Sequence, residues 1–154
     1  MKKMPAVAVF SVLALSGCAG WIGKDEATLD FEKETSAGDA RMREDKTRMS
    51  LGALESALAD YVKAENKIPA KLDALVPKYL AAIPMLDVPV CGGETDRVES
   101  YPAGVLRDGQ VDGARLRGTG RWGYVHNDDR VVVFVDCLKP SGKNLPWYQE
   151  RGVY

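Results

Sequence analysis

The sequence contains few of the residues on which most catalytic and metal-binding sites depend. It has one histidine and three cysteines in 154 residues. A single histidine excludes histidine-rich metal sites and leaves little material for a histidine-based catalytic triad. The 21 basic side chains are offset by 22 acidic ones, which excludes the strongly basic surface that nucleic-acid binding normally requires. No apolar run reaches the roughly 20 residues of a transmembrane helix.

What is present is the composition of one small folded domain. Hydrophobic residues make up 45% of the chain and charged residues 28%, which excludes wholesale disorder. At about 100–200 residues per domain, the length allows one domain and an N-terminal extension.

The first 17 residues have the three-part pattern of a secretory signal peptide. The basic pair Lys2-Lys3 precedes an apolar run at positions 5–15, and the small pair Ser16-Gly17 follows. An apolar run of this length is too short to cross a bilayer. The pattern therefore predicts export and removal of residues 1–17.

The next residue makes this signal similar to those of bacterial lipoproteins. Leu15-Ser16-Gly17-Cys18 resembles their lipobox, in which an apolar residue and two small ones precede the modified cysteine. The resemblance implies that the Cys18 thiol carries a diacylglyceryl group and that its new amine is fatty-acylated. Because Ala19 rather than aspartate follows, it also implies an outer-membrane anchor facing the periplasm. The alternative is a plain signal peptide followed by an unmodified cysteine.

Residues 18–39 are expected to be the lipidated cysteine and a tether. Charged and small residues alternate there with little periodicity, although an extra helical turn near 29–33 is left open. Twenty flexible residues span about 25 Å on average, enough to hold a domain just off a membrane. Residues 40–154 are then expected to form the periplasmic domain.

The domain is predicted to begin with one long helix. Asp39 is the predicted N-cap, and the helix is expected to end at Glu65, shortly before Pro69. Shorter helical turns are predicted at 71–75 and 78–82. The apolar stripe that defines the long helix recurs at three- and four-residue steps: Met42, Met49, Leu51, Leu54, Leu58, Tyr61 and Val62.

After Pro89 the pattern changes to strands and turns. Short strands are predicted at 97–101 and 105–116, and a hairpin is predicted to pair 121–125 with 130–137 through a polar turn. The valines of the return strand fall on both faces, which indicates a central strand or one covered by the long helix. The fold class is therefore α+β, a long N-terminal helix packed on a small antiparallel sheet.

An ordered set of residues runs from the second half of the predicted helix to Pro89: Leu51, Leu54, Leu58, Tyr61, Asn66, Pro69, Leu72, Leu75-Val76-Pro77, Tyr79-Leu80, Ile83-Pro84, Asp87 and Pro89. With Gly120, Trp122 and Tyr124, which fit a Gly-Trp-x-Tyr-like strand, this set resembles the major pseudopilins of type II secretion, the protein G family. The resemblance implies a pilin-like fold and a link to secretion or pilus machinery.

The sequence departs from that family where filament assembly is concerned. Pseudopilins begin with a long apolar helix that packs into the pilus shaft, and here a lipobox and a polar segment stand in its place. We therefore expect a pilin-like domain that is not a pilus subunit. The calcium site of some pseudopilins does not transfer, and Asp128 and Asp129 are interpreted as turn residues, so no metal or other cofactor is expected.

Two cysteines remain once Cys18 is assigned to the lipid. A pair in an exported domain favours a disulfide between Cys91 and Cys137. The alternative is a redox or metal-binding pair, but the Cys-x-x-Cys spacing and neighbouring histidines of such sites are lacking.

No catalytic group emerges from the remaining candidates. His126 is predicted to be a solvated residue or an edge aromatic in the hairpin turn, with a general base as the alternative. Gly118-Thr119-Gly120 lacks the spacing of a phosphate-binding loop. Arg115, Arg117 and Arg121 form a basic stretch that is either a solvated sheet face or a surface for an acidic partner or glycan. The aromatic residues Trp122, Tyr124, Trp147 and Tyr148 are either largely buried or exposed as a binding surface.

The sequence thus predicts a non-enzymatic envelope lipoprotein that presents a protein-interaction or scaffolding domain. Its expected partners are the membrane, through the lipid, and an envelope protein. A periplasmic lipoprotein that binds a glycan or peptide is the alternative, and the identity of any small ligand stays open.

Overall fold

The structure is a computed structural model that describes residues 26–153, with side chains from residue 32 onwards. The predicted signal peptide at 1–17 and the lipidation site Cys18 lie outside these residues. None of the helices within the described range combines the length and apolar composition that a bilayer crossing requires.

Helix α1 extends over Glu26–Glu65, so it begins well before the predicted N-cap at Asp39. The added segment contains alanine, glutamate and lysine but no proline, and these residues favour a helix even where no apolar stripe is present. Residues 32–43 are exposed, whereas Leu51 and Leu54 are fully buried. The expected tether is therefore helical from Glu26, and α1 buries only its C-terminal half.

The predicted end of α1 at Glu65 is confirmed. Asn66 adopts a left-handed conformation with φ of 51°, which asparagine tolerates at helix ends. A 3₁₀ turn follows at Leu72–Leu75 and buries both of its leucines. The second predicted turn, at 78–82, does not form a helix: Tyr79 and Leu80 both donate to the Leu75 carbonyl, and the helical hydrogen bonding goes no further before Pro84.

Within residues 26–153, seven short strands follow α1 and form three small sheets. They are β1 (Leu86–Val88), β2 (Gly93–Thr95), β3 (Val98–Tyr101), β4 (Leu106–Arg107), β5 (Gln110–Val111), β6 (Trp122–His126) and β7 (Val131–Val135). The strand predicted at 105–116 is reduced to the two-residue strands β4 and β5, because Asp108 and Gly109 turn the chain there with positive φ.

The largest sheet has the strand order β3-β6-β7. The predicted hairpin is confirmed: β6 and β7 are antiparallel, with Tyr124 opposite Val133. The prediction of an antiparallel sheet is wrong in one respect, because β3 is parallel to β6. The segment between them, which includes β4 and β5, is long enough to return the chain in the same direction.

The sheet is covered on both faces, as the valine pattern indicated. Trp122, Tyr124 and Val133 face α1 and belong to the larger core. On the opposite face, Val125 and Phe134 form a smaller core with Tyr101 and Val105. Strand β7 is nevertheless at the edge of the sheet and not at its centre, and its burial comes from the elements packed above and below it.

Candidate functional site

A groove lies between the C-terminal half of α1 and the free edge of β7. Its volume is about 630 Å³. One wall is formed by one face of α1, the base by the start of β7, and the opposite side by the β4–β5 turn. The lining residues are Glu55, Leu58, Ala59, Val62, Lys63, Gly109, Arg130, Val131, Val132, Val133 and Arg151.

The register of the sheet determines which peptide groups face this groove. The Asn127 N–H donates to the Arg130 carbonyl at 2.9 Å, and the Asp136 N–H donates to the Arg121 carbonyl at 2.9 Å. Even-numbered residues of β7 therefore bond to β6, and the N–H and C=O groups of Val131 and Val133 point to the outer edge. No partner for these four groups is found among residues 26–153.

Basic side chains predominate at the rim of the groove. Lys63, Arg130 and Arg151 are exposed, and Glu55 is the acidic residue of the lining. The Arg130 guanidinium donates to the Gly109 carbonyl at 2.9 Å, which holds its charge beside the start of β7. Glu55 accepts from the Gly152 N–H at 3.2 Å. The rim therefore favours a negatively charged ligand.

A buried ion pair fixes the C-terminal segment at one end of the groove. Arg48, 4% exposed, donates from Nε and Nη2 to the two carboxylate oxygens of Glu150 at 3.1 and 3.2 Å. The pKa of Arg48 is raised mainly by its hydrogen bond to Glu150. Burial raises the pKa of Glu150, but hydrogen bonds from Arg48 and Ser141 outweigh that effect and lower it below the ordinary glutamate value.

The predicted disulfide is confirmed: Cys91 and Cys137 are bonded, with their Cα atoms 5.9 Å apart. Cys91 follows β1 and Cys137 lies two residues after β7. The bond ties the loop after the first small sheet to the end of the groove-forming strand, so its role in the described structure is covalent bracing.

The three predicted arginines do not form one cluster. Arg117 and Arg121 both approach Glu99, at 2.6 and 3.2 Å. Arg115 instead lies 3.5 Å from Asp112 and donates to the Gly104 carbonyl. All three guanidinium groups therefore have acidic partners within the chain.

The loop at Gly118-Thr119-Gly120 does hold a carboxyl group, but that group is a side chain of the protein itself. Asp136 is fully buried and accepts from the N–H groups of Gly118 and Thr119 at 3.0 and 2.9 Å. It also accepts from the Tyr101 hydroxyl at 2.7 Å. Burial, with the neighbouring Asp136, raises the pKa of Tyr101 to about 12. These contacts join the end of β7 to the segment before β6 and to Tyr101 of β3.

The remaining candidates from the sequence lie in surroundings that indicate structural roles. The placement of His126 in the hairpin turn is wrong, because this residue pairs with Val131 as the last residue of β6; it is half-buried, with its ring 5.7 Å from that of Tyr124. Asp128 and Asp129 are exposed in the hairpin turn, and no group of metal-ligating side chains occurs within the described residues. Trp122, Tyr124 and Trp147 are at most 1% exposed, so the expected burial of the aromatics is confirmed for these three.

The groove was not among the sites that the sequence indicated. Arg130 and the valines after it are visible in the sequence, but a strand's position at a sheet edge depends on its pairing. Lys63, Arg130 and Arg151 are far apart in the chain, and only the fold brings them to one rim.

Comparison with protein-family models, curated proteins and solved structures gives no match to this chain.

Proposed function

We propose that this protein is a non-enzymatic, lipid-anchored component of the bacterial envelope that presents a small α+β domain to a protein partner. The anchoring step rests on the lipobox-like sequence at Leu15–Cys18. The presentation step rests on the shape of α1 and on the groove beside β7.

The observation that carries the proposal is the exposed N-terminal half of α1. Residues 32–43 are exposed, and contact with the small sheets begins near Arg43, whose Nε lies 3.8 Å from the Asp87 carboxylate. Residues 26–43 extend about 27 Å at 1.5 Å per residue. A helical spacer of this length sets a distance between an anchor at residue 18 and the folded domain, which suits a protein that acts by position.

The proposed link to type II secretion or pilus machinery rests on the sequence resemblance. The coarse architecture, a long helix on small sheets, is compatible with it. Lipid anchoring would place such a domain beside the machinery without inserting it into a filament core, because the apolar shaft helix is replaced by a lipobox and a polar segment.

The alternative function is a lipoprotein that binds a glycan or a peptide. Of these two ligands, the groove favours a peptide. A glycan surface built from the predicted aromatics is less well supported, since Trp122, Tyr124 and Trp147 are buried. The arginines proposed for that surface, Arg115, Arg117 and Arg121, are paired with Asp112 and Glu99.

Fatty-acid labelling in a bacterial host tests the anchor. The wild-type chain is expected to incorporate labelled palmitate and to fractionate with the outer membrane. Cys18→Ala is expected to lose the label because it lacks the thiol that accepts the diacylglyceryl group, whereas Cys91→Ser, the matched cysteine control, should keep it. Labelling that persists in Cys18→Ala would refute lipidation at this residue.

Cross-linking in the intact envelope tests the presentation of a partner-binding domain. The lipidated full chain is compared with a control that carries residues 1–39 alone, and captured proteins are identified by mass spectrometry. We expect envelope proteins that depend on residues 40–154, with secretion or pilus components among them if the proposed link holds. Identical capture by both proteins would contradict a scaffolding role of the domain.

A further inference from the structure

We propose that the free edge of β7 binds an extended, acidic peptide segment of a partner protein, which adds to the sheet as a fourth strand. This inference deepens the proposed function and rests on it, because it names the kind of segment that the presented domain would recognise. It is carried by three independent features of the groove: its backbone, its walls and its charge.

The backbone of β7 offers hydrogen-bonding groups in the order that a strand requires. Val131 and Val133 direct their N–H and C=O groups away from β6, and no partner for them lies within residues 26–153. A peptide in the extended conformation presents N–H and C=O groups at the same spacing and can pair with all four. Unpaired edge groups of this kind are the usual template for strand addition.

The groove beside this edge limits the length of the added strand. Beyond Val135, the C-terminal segment occupies the neighbouring position, since the Tyr148 N–H donates to the Cys137 carbonyl at 3.3 Å. The open edge is therefore confined to the first half of β7. It suits about four residues of peptide, which is enough for the four peptide groups of Val131 and Val133.

The two walls of the groove favour a peptide in which apolar and polar side chains alternate. Side chains of an added strand point in turn toward α1 and away from it. On the α1 side they would meet Leu58 and Val62, an apolar surface. On the opposite side they would meet the polar guanidinium of Arg130, which packs against Gly109. One apolar residue in every two, with polar residues between, fits this geometry.

The charge of the rim determines the sign of the polar residues. Lys63, Arg130 and Arg151 are exposed around the groove, against Glu55 alone among acids of the lining. A peptide with carboxylates between its apolar residues complements this rim. A second copy of the chain does not, because pairing of two β7 edges would bring two copies of the same predominantly basic rim to one interface.

The test uses the full mature protein in detergent micelles and a capped heptapeptide of alternating valine and glutamate as the probe. Binding is followed by peptide fluorescence anisotropy and by amide hydrogen exchange of the protein. We expect the amides of Val131 and Val133 to exchange at least about tenfold more slowly with peptide than without. The amide of Val132, already bonded to β6, serves as the internal reference and should change little.

Two peptide controls separate strand addition from other binding. The valine–lysine heptapeptide should bind at least about tenfold more weakly, because its charges oppose the rim. In an added strand, every second peptide amide faces β7. N-methylation of this set should abolish binding, whereas N-methylation of the other set should leave the affinity within about threefold. Equal effects of the two methylation patterns would overturn the proposal, because only an added strand distinguishes them.

Protein variants address the same contacts from the other side. Val131→Pro removes an outward N–H without removing a bond to β6, and it should weaken binding about tenfold. Its matched control, Val131→Ala, keeps the N–H and should bind within about threefold. Lys63→Glu and Arg151→Glu should each weaken binding, whereas Lys71→Glu, an exposed lysine outside the groove, should not.

Failure of this inference can be told apart from failure of the proposed function. If no heptapeptide protects Val131 and Val133, strand addition is refuted, while envelope cross-links that depend on residues 40–154 would still support scaffolding. If the two amides become protected as the protein alone is concentrated, the edge is covered by a second copy and the proposal is also overturned.

Discussion

The buried side chain of Arg48 holds the C-terminal segment against α1. Arg48 contacts Glu150 through two hydrogen bonds, approaches Glu44 and Asp45 at 3.1 Å, and lies with its guanidinium 5.3 Å from the Trp147 ring. Ser141 donates a further hydrogen bond to Glu150. Removing one partner of such a pair leaves the other buried without compensation, which costs more than the pair itself contributes.

We expect Arg48→Met to destabilise the domain by about 3–5 kcal/mol, because the buried Glu150 carboxylate would lose both Arg48 hydrogen bonds and keep only Ser141 and the more distant Lys143, at 4.0 Å. Replacing both partners, in Arg48→Met with Glu150→Leu, should be much less destabilising. Urea unfolding of the two single variants and the double variant measures the difference. Additive effects of the two substitutions would contradict coupling between these side chains.

The same pair gives the stability a dependence on acid pH. The pKa of Glu150 is below its usual value in the folded protein, so the contribution of its charge is fully present above about pH 4.5 and is lost as the pH falls below it. Stability measured between pH 6 and pH 3 should therefore fall more steeply in the wild type than in Glu150→Gln. Parallel profiles would show that other carboxyl groups are responsible.

At the scale of elements, α1 consists of two halves with different roles. The half from Thr47 onwards packs Leu51, Leu54 and Leu58 into the core, whereas residues 32–43 are exposed. Gly52 lies where the C-terminal segment crosses the helix, and a side chain there would collide with the backbone of Val153. The helix thus anchors the fold at one end and extends away from it at the other.

A proline in the exposed half should separate these roles. Ala37→Pro removes one helical hydrogen bond and disrupts the helix locally, which lowers the helical circular dichroism. Because the core lies elsewhere, the free energy of unfolding measured by tryptophan fluorescence should change by less than about 0.5 kcal/mol.

The matched core variant for this experiment is Leu54→Ala. Its side chain is fully buried, so the substitution should cost about 2–5 kcal/mol. A loss of stability in Ala37→Pro comparable to that of Leu54→Ala would contradict the division of α1 into a spacer and a core half.

For the whole molecule, the disulfide links parts that share little secondary structure. Cys91 belongs to the loop between β1 and β2, and Cys137 follows the three-stranded sheet, 46 residues later. The two-stranded sheet formed by β1 and β2 packs on α1 mainly through Leu86 and Val88, which are buried. The disulfide therefore joins the β1–β2 sheet to the three-stranded sheet on one side of α1.

Reduction of this bond should lower the stability of the whole domain. Closing a loop of this length lowers the conformational entropy of the unfolded chain. In the chain-entropy model this raises the free energy of unfolding by about 4 kcal/mol. Urea unfolding with and without a phosphine reductant measures the loss, and the Cys91→Ser, Cys137→Ser double variant should no longer respond to the reductant. Two freely alkylated thiols in protein isolated without reductant would contradict the bond.

The sequence by itself determined the features that depend on local pattern. The period of the leucines in α1, the turn residues between β6 and β7, and the alternating valines each specify a structure through neighbours in the chain. The cysteine pairing was also predicted, because the expected export of the domain and the proposed lipidation of Cys18 left Cys91 and Cys137 as one intramolecular pair. The start of α1 did not follow, since its exposed half has helical propensity but no apolar stripe.

Only the tertiary structure decided the features that depend on distant pairing. The parallel register of β3 with β6 and the edge position of β7 both reflect which strands meet, and strand order leaves no mark on a single strand. The same is true of Arg48 with Glu150 and of the basic rim of the groove. These groups lie far apart in the chain, and the physical reason they act together is the packing of α1 over the sheet.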